Sequence, residues 1–235
     1  MSDILSLDIE TENYSWDIGG WNNKNLFKTS VIATWDGTDG TIFSNKNIQL
    51  ENVNILPLHA SDIGNHISEH IEKGGKLLGH NIIGFDLPVI RDSLDCWAAG
   101  DVMSKSSDTI IDTQNLVSKA SRILSDSIVT SLDILSKCTL KEGKIMQSID
   151  APEQWALGNY NQVAEYCLKD AQLTYELYKY GTEYGVVKSL SLDTGREIKS
   201  LAFHLQKLLR LTLDIVLLLR IKKYTLVKII FLIAE

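Results

Sequence analysis

Asp8 and Glu10 flank Ile9 in the stretch ILSLDIE (4–10), so in an extended strand both carboxylates face the same side. An otherwise apolar strand has no structural use for two like charges side by side. Asp86 closes HNIIGFD (80–86), just after a short apolar run. Asp170 closes YCLKD (166–170), with Tyr166 four residues earlier on the same helical face. A carboxylate in apolar surroundings is costly to desolvate unless it caps a helix, pairs with a cation or binds a metal. Four of them converging would suit hard cations, because Mg²⁺ (or Mn²⁺) takes carboxylate oxygens, waters and substrate phosphate. Two such ions about 3.5–4 Å apart can activate a water and stabilise the leaving oxygen of an in-line phosphoryl displacement.

The elements that must position these groups are legible in outline. ILSLDIE reads as a first strand, and SVIATWDGTDGTIFS (30–44) as two β-rich runs around a DGTDG hairpin turn. SDIGNHISEHIEKGG (61–75) spaces Ile63, Ile67 and Ile71 four apart, with Ser61 or Asp62 to cap it and Gly74-Gly75 to end it, so a helix is predicted. KLLGHN (76–81) is a short buried strand. DLPVIRDSLDCWAA (86–99) is a helix with Pro88 in its first turn, where proline is tolerated. DTIIDT (108–113) is a further strand, followed by helices at 114–124 and 131–139 and a loop over 140–158. Residues 159–181 form the clearest helix. Strands alternating with helices imply an α/β sheet with helices on its faces.

Taken in order, DIE (8–10), HNIIGFD (80–86) and YCLKD (166–170) resemble the three motifs of the DnaQ-like, or DEDD, 3′–5′ exonucleases, which include polymerase proofreading domains and several ribonucleases. IDTQNL (111–116) and the SLDIL stretch after it are similar to that family too. Each motif alone is a weak signal; the three in order, each in its strand or helix setting, are specific. The histidine subtype would carry His where this chain has Glu165, whereas Tyr166 matches the tyrosine subtype. The resemblance spans residues 1 to about 181. It implies a ribonuclease H-like α/β fold over 1–185, a mixed β-sheet with helices on both faces. It assigns two divalent ions (Mg²⁺ or Mn²⁺) to Asp8, Glu10, Asp86 and Asp170, and gives Tyr166 the attacking water. An unperturbed tyrosine, with a pKa of about 10, is a poor base at neutral pH, so Tyr166 is expected to position that water rather than deprotonate it. Ile9, Asn81 and Phe85 are the expected substrate-binding residues. The implied partner is a single-stranded or frayed 3′ end, DNA favoured over RNA, in a proofreading or repair setting.

Blander roles compete at several positions. Asp86 could serve as a helix cap, Asp112 reads as structural, and His80 as a packing or backbone-bonding residue. A catalytically silent exonuclease-like module that binds nucleic acid or scaffolds a partner is the alternative, which a missing carboxylate would favour; all four are present. The net charge of -7 argues against a general nucleic-acid coat, though not against a carboxylate-rich enzyme. Three scattered cysteines (Cys96, Cys138, Cys167) suggest neither a zinc site nor a disulfide framework, and together with the absence of a secretory signal they point to the cytoplasm.

Composition changes near 185–195. Residues 196–235 hold eight Lys/Arg against three Asp/Glu, with no Gly, Pro or Trp, whereas residues 1–195 hold 15 against 27. This basic, Leu/Ile-rich stretch reads as a C-terminal helical tail. Asp214, Arg220, Lys222, Lys223 and Lys228 interrupt it too often for a membrane span. A polymerase, a second copy of the chain or the exonuclease core itself is the expected surface for it, and a truncated or frame-shifted remainder would give the same change of composition.

Overall fold

Strand β1 (Ile4–Thr11) turns Leu5, Leu7 and Ile9 to one face, where they are buried with Ile32, Phe43 and Leu77. Ser6, Asp8 and Glu10 therefore point to the other face. Each of those three apolar side chains contributes about 1.5–3 kcal/mol on burial. A slip of one residue would exchange them for two carboxylates, so the register of β1 is firmly specified. The computed structural model describes residues 4–105, 109–125, 127–200 and 203.

β2 (Thr29–Trp35) runs antiparallel to β1, with Ile9 opposite Ile32 and Asp8 opposite Ala33. β3 (Gly40–Phe43) returns beside β2 through the expected DGTDG turn. There Asp36 Oδ1 accepts from the N–H groups of Thr38 and Asp39 at 2.8 and 2.7 Å, and Gly37 takes a φ of +106°. β4 (Val53–Leu56) lies parallel to β3 at one edge. Helix α1 (Ala60–Glu72) leads into β5 (Lys76–Gly79), parallel to β1 on its other side, and β6 (Ile110–Asp112) closes the second edge. The result is an α/β fold on a mixed six-stranded sheet of order β4-β3-β2-β1-β5-β6.

Between β5 and β6 lie α2 (Asp86–Ser93) and α3 (Trp97–Ser104). One helix was expected over 86–99; Asp95, at a φ of +55°, breaks it into two. After β6 come α4 (Thr113–Leu124), α5 (Leu132–Thr139), α6 (Ala151–Ala156) and α7 (Tyr160–Tyr184). α6 was read from the sequence as loop. Its signal was Pro152 in the first turn, where the missing N–H costs nothing.

Helices cover both faces of the sheet. α1 and α2 bring Ile63, Ile67, Leu87 and Ile90 onto the Leu5–Leu7–Ile9 face. α7 lays Val163, Ala164, Cys167 and Leu168 against Val31, Ala33 and Ile42 on the opposite one. Farther along, Leu173 and Leu177 of α7 meet Val117, Leu132 and Leu135.

The composition boundary at 195 is not a structural one. β7 (Val187–Leu190) and β8 (Glu197–Ser200) form an antiparallel pair across it. Glu197 is held by Lys141 and Lys188, each at 3.2 Å. Phe203 is buried against α7, its ring where a Cβ on Gly181 would collide with it. Of the expected helical tail, Glu197–Ser200 is a strand, Phe203 is helical with its side chain in the core, and the rest lies outside the described residues. Among the described residues, no helix is long and apolar enough to cross a membrane.

Candidate metal centre

Asp8 and Glu10 come from the α7-facing side of β1, and Asp170 from the middle of α7, where Val163, Cys167 and Ala171 are buried around it. Carboxylate oxygens of these three residues lie within 4.8 Å of one another. Asp86, the first residue of α2, borders the same cleft but is not part of that trio. Its carboxylate faces the Ile9 backbone, which favours the ionised form, at the point where β1 runs on beyond its pairing with β5. The cleft, about 680 Å³, is also lined by Asn81, Phe85 and Lys144.

The cluster is electrostatically uncomfortable on its own. Burial, then repulsion from Asp170, Asp86 and Glu10, holds the Asp8 carboxyl well above the ordinary carboxylate range. Burial and Asp170 do the same to Glu10. Asp86 is pushed up to about 7, mainly by burial. Asp170 is raised by burial too, although Lys144 opposes the shift. Asp170 Oδ1 is buried with no hydrogen-bond partner, an acceptor left open toward its neighbours. Carboxylates packed this closely, one with an orphaned oxygen, fit a hard divalent cation.

Lys144 is the residue that sequence reasoning missed. It sits in the stretch read as loop, with its backbone N–H donating to Asp133 of α5 at 3.2 Å. Its ammonium pairs with Asp170 and donates to the Tyr166 hydroxyl at 2.9 Å. Burial alone would lower its pKa, but Asp170, Asp8 and Glu10 outweigh that and raise it. Ser148, from the same stretch, is 2.7 Å from the Tyr166 hydroxyl. Nothing in the spacing of 140–158 marks either residue, because their role comes only from long-range contact. Cys167 was likewise unmarked; its thiol reaches the Asp8 backbone oxygen at 3.4 Å and is held protonated by burial.

The other expected site residues divide. Tyr166 is fully buried, and burial with the neighbouring carboxylates raises its pKa, so the phenol stays neutral. Asn81 borders the cleft in the left-handed region, at a φ of +71°, and a Cβ on Gly84 would collide with its side-chain oxygen. Phe85 borders it as well. Ile9 does so only in part, since its side chain packs into the core behind β1. His80 is anchored on both ring nitrogens, to Thr113 and to the Thr130 carbonyl, each at 2.8 Å. That carbonyl can only accept, so Nε2 carries the proton and Nδ1 accepts from the hydroxyl. Burial lowers the His80 pKa to about 4, which keeps the ring neutral. Asp112 is structural: it caps α4 through the Asn115 N–H at 3.0 Å and ties down the Asn81 and Ile83 backbones at 3.1 and 3.2 Å.

No protein-family profile and no curated protein matches this sequence.

Proposed function

We propose that the protein is a metal-dependent 3′–5′ exonuclease of the DnaQ-like, tyrosine-subtype kind on a ribonuclease H-like fold, releasing nucleoside monophosphates from DNA 3′ ends in preference to RNA. The observation that carries this reading is the meeting of Asp8, Glu10 and Asp170 within 4.8 Å, with Asp86 on the same cleft. Tyr166 is one turn of α7 from Asp170. Asp8, Glu10 and Asp170 would hold one divalent ion, and Asp86 is the further ligand available for a second. Bound there, such ions supply greater acidity to a water and charge neutralisation at the leaving oxygen.

The protein's own groups set the rest. In the hydrolysis, water oxygen bonds to phosphorus, the bond to the preceding 3′ oxygen breaks, and that oxygen ends with a proton. Tyr166 is poorly suited to act as the base, because burial and then the neighbouring carboxylates hold its phenol neutral. Its hydroxyl accepts from the Lys144 ammonium at 2.9 Å and lies 2.7 Å from the Ser148 hydroxyl. Its part is therefore to orient the water. Replacing Tyr166 with Phe keeps the packed ring and should slow hydrolysis by about 10²-fold, the cost of a misplaced reactant, less than the loss of a carboxylate. A loss as deep as that of a carboxylate variant, measured side by side, would make the hydroxyl central to the chemistry.

The direct test is incubation with 3′- and 5′-labelled DNA and RNA oligonucleotides in Mg²⁺, Mn²⁺ or EDTA. Stepwise shortening from the 3′ end, abolished by EDTA and faster on DNA, is the expected result. Lys144 favours a second reading, since an ammonium seated on Asp170 could neutralise the cluster in a catalytically silent, nucleic-acid-binding module. No cleavage in either metal would select that one.

A further inference from the structure

The segment between β1 and β2 carries more aromatic surface than folding explains. Trp16 and Trp21 are 61% and 62% exposed, yet both line the cleft that holds the carboxylates. Trp16 stacks on Tyr14 with ring centres 4.3 Å apart and planes 12° from parallel, leaving its far face open. Trp21 meets Phe85 edge-on at 5.5 Å, and Phe85 in turn meets Phe27 at 5.3 Å. The Lys24 ammonium lies 4.6 Å from the centre of the Phe85 ring.

These rings are mounted on a fastened frame. The Glu12 N–H donates to the Lys28 carbonyl at 2.7 Å, closing the segment at its base. The Asn13 side chain bonds both Leu26 and Lys28, at 3.0 and 2.9 Å. Asn23 ties the two short 3-10 turns together by donating to the Ile18 carbonyl at 2.7 Å.

We propose that this aromatic frame is a base-stacking platform for the unpaired terminal nucleobases of a single strand. The inference rests on the nuclease reading above and names how that site takes its substrate. Charge argues for it. The cleft offers Lys24 and Lys144 against Asp8, Glu10, Asp86 and Asp170, so phosphate attraction alone cannot supply affinity. Flat rings can, because every base has a π-face to stack on. An apolar helix in the same place would cover the Lys24 ammonium with only aromatic ring faces for partners, whereas a strand brings phosphates to it. Paired bases have no face to give, so the platform selects single-stranded or frayed ends.

The experiment uses the full chain in EDTA, where metal-dependent cleavage is stopped. Binding of a 5′-fluorescein oligothymidylate, of the same strand with abasic units at its 3′ end, and of a blunt duplex is read by anisotropy. The intact strand should bind about tenfold or more tighter than the other two. Trp16→Ala and Trp21→Ala should each cost about tenfold on the intact strand and nothing on the abasic one. With two lysines on the cleft, the slope of log affinity against log salt should be no steeper than about -1.4. Equal binding of intact and abasic strands would overturn the platform. A steep salt slope with no base dependence would also overturn it, and would move the strand to the basic residues of 196–235. Hydrolysis of the p-nitrophenyl ester of thymidine 5′-monophosphate by the wild type in Mg²⁺ separates the two proposals. Turnover without base-dependent binding retains the nuclease and removes the platform, and base-dependent binding with an inert ester does the reverse.

Discussion

Asp8→Asn is expected to cut 3′-nucleotide release by at least a factor of about 10³, equivalent to roughly 4 kcal/mol of lost transition-state stabilisation. The same change should make the metal-free protein more stable. Both effects follow from one property: the Asp8 carboxylate is disfavoured by burial and by three neighbouring carboxylates, and Lys144 offsets this only in part. Asparagine keeps the shape and removes the charge. In EDTA at pH 8 its melting temperature should exceed the wild type's by roughly 2–4 °C, the equivalent of about 1 kcal/mol in a chain of this size. The pH dependence has a definite sign. Asp8, Glu10 and Asp86 have folded pKa values above those of the unfolded chain. Their contribution to stability is present in full below about pH 4 and is lost as pH rises through the folded values, near 7 for Asp86. Metal-free wild type should therefore melt lower at pH 8 than at pH 5, and saturating Mg²⁺ should remove the difference. Near wild-type turnover by Asp8→Asn in Mg²⁺ would mean that the acid cluster is not where the reaction occurs.

The carboxylates were legible in the sequence because their placement uses short-range rules. Two residues apart on a strand means one face, and four apart on a helix means one turn. β1 and α7 therefore announced Asp8, Glu10, Tyr166 and Asp170 before any tertiary contact was known. Asp86 was legible as the start of a helix after an apolar strand, though not its place facing the Ile9 backbone, which depends on β5 ending early. Lys144 and Ser148 were invisible for the opposite reason. They sit in an aperiodic stretch whose course is set by its attachment to α5, and a lysine in a loop looks like any solvated charge. The break at Asp95 and the β7–β8 pair were missed similarly, since each depends on a local left-handed turn or on cross-strand pairing that composition does not encode. The aromatic frame was half visible: Phe85 was singled out, whereas Trp16 and Trp21 gained meaning only when the segment between β1 and β2 folded beside the acids.

Lys144→Met should separate a placeholder cation from a group that takes part in the chemistry. The ammonium pairs with Asp170, whose side chain is 1% exposed against 14% for that of Lys144. Breaking such a buried pair leaves an uncompensated charge and costs about 3 kcal/mol, or roughly 6–12 °C in EDTA. Methionine preserves most of the stem's packing, so the loss reports the charge rather than a cavity. The Tyr166 hydroxyl accepts from the Lys144 ammonium at 2.9 Å and lies 2.7 Å from the Ser148 hydroxyl, so the ammonium occupies an acceptor position that a water would otherwise use. Of those partners, Lys144 has the long flexible stem, so it is the one able to swing away and open both Asp170 and Tyr166. On this view the ammonium competes with a divalent ion for Asp170. The variant should then bind Mn²⁺ about tenfold more tightly by calorimetry, the equivalent of about 1.4 kcal/mol, and recover its lost melting temperature when the metal saturates. Turnover at saturating Mn²⁺ should fall no more than about tenfold, because the open arrangement no longer contains the ammonium. Unchanged metal affinity with a collapse in turnover as deep as that of Asp8→Asn would instead put Lys144 in contact with the reacting phosphate.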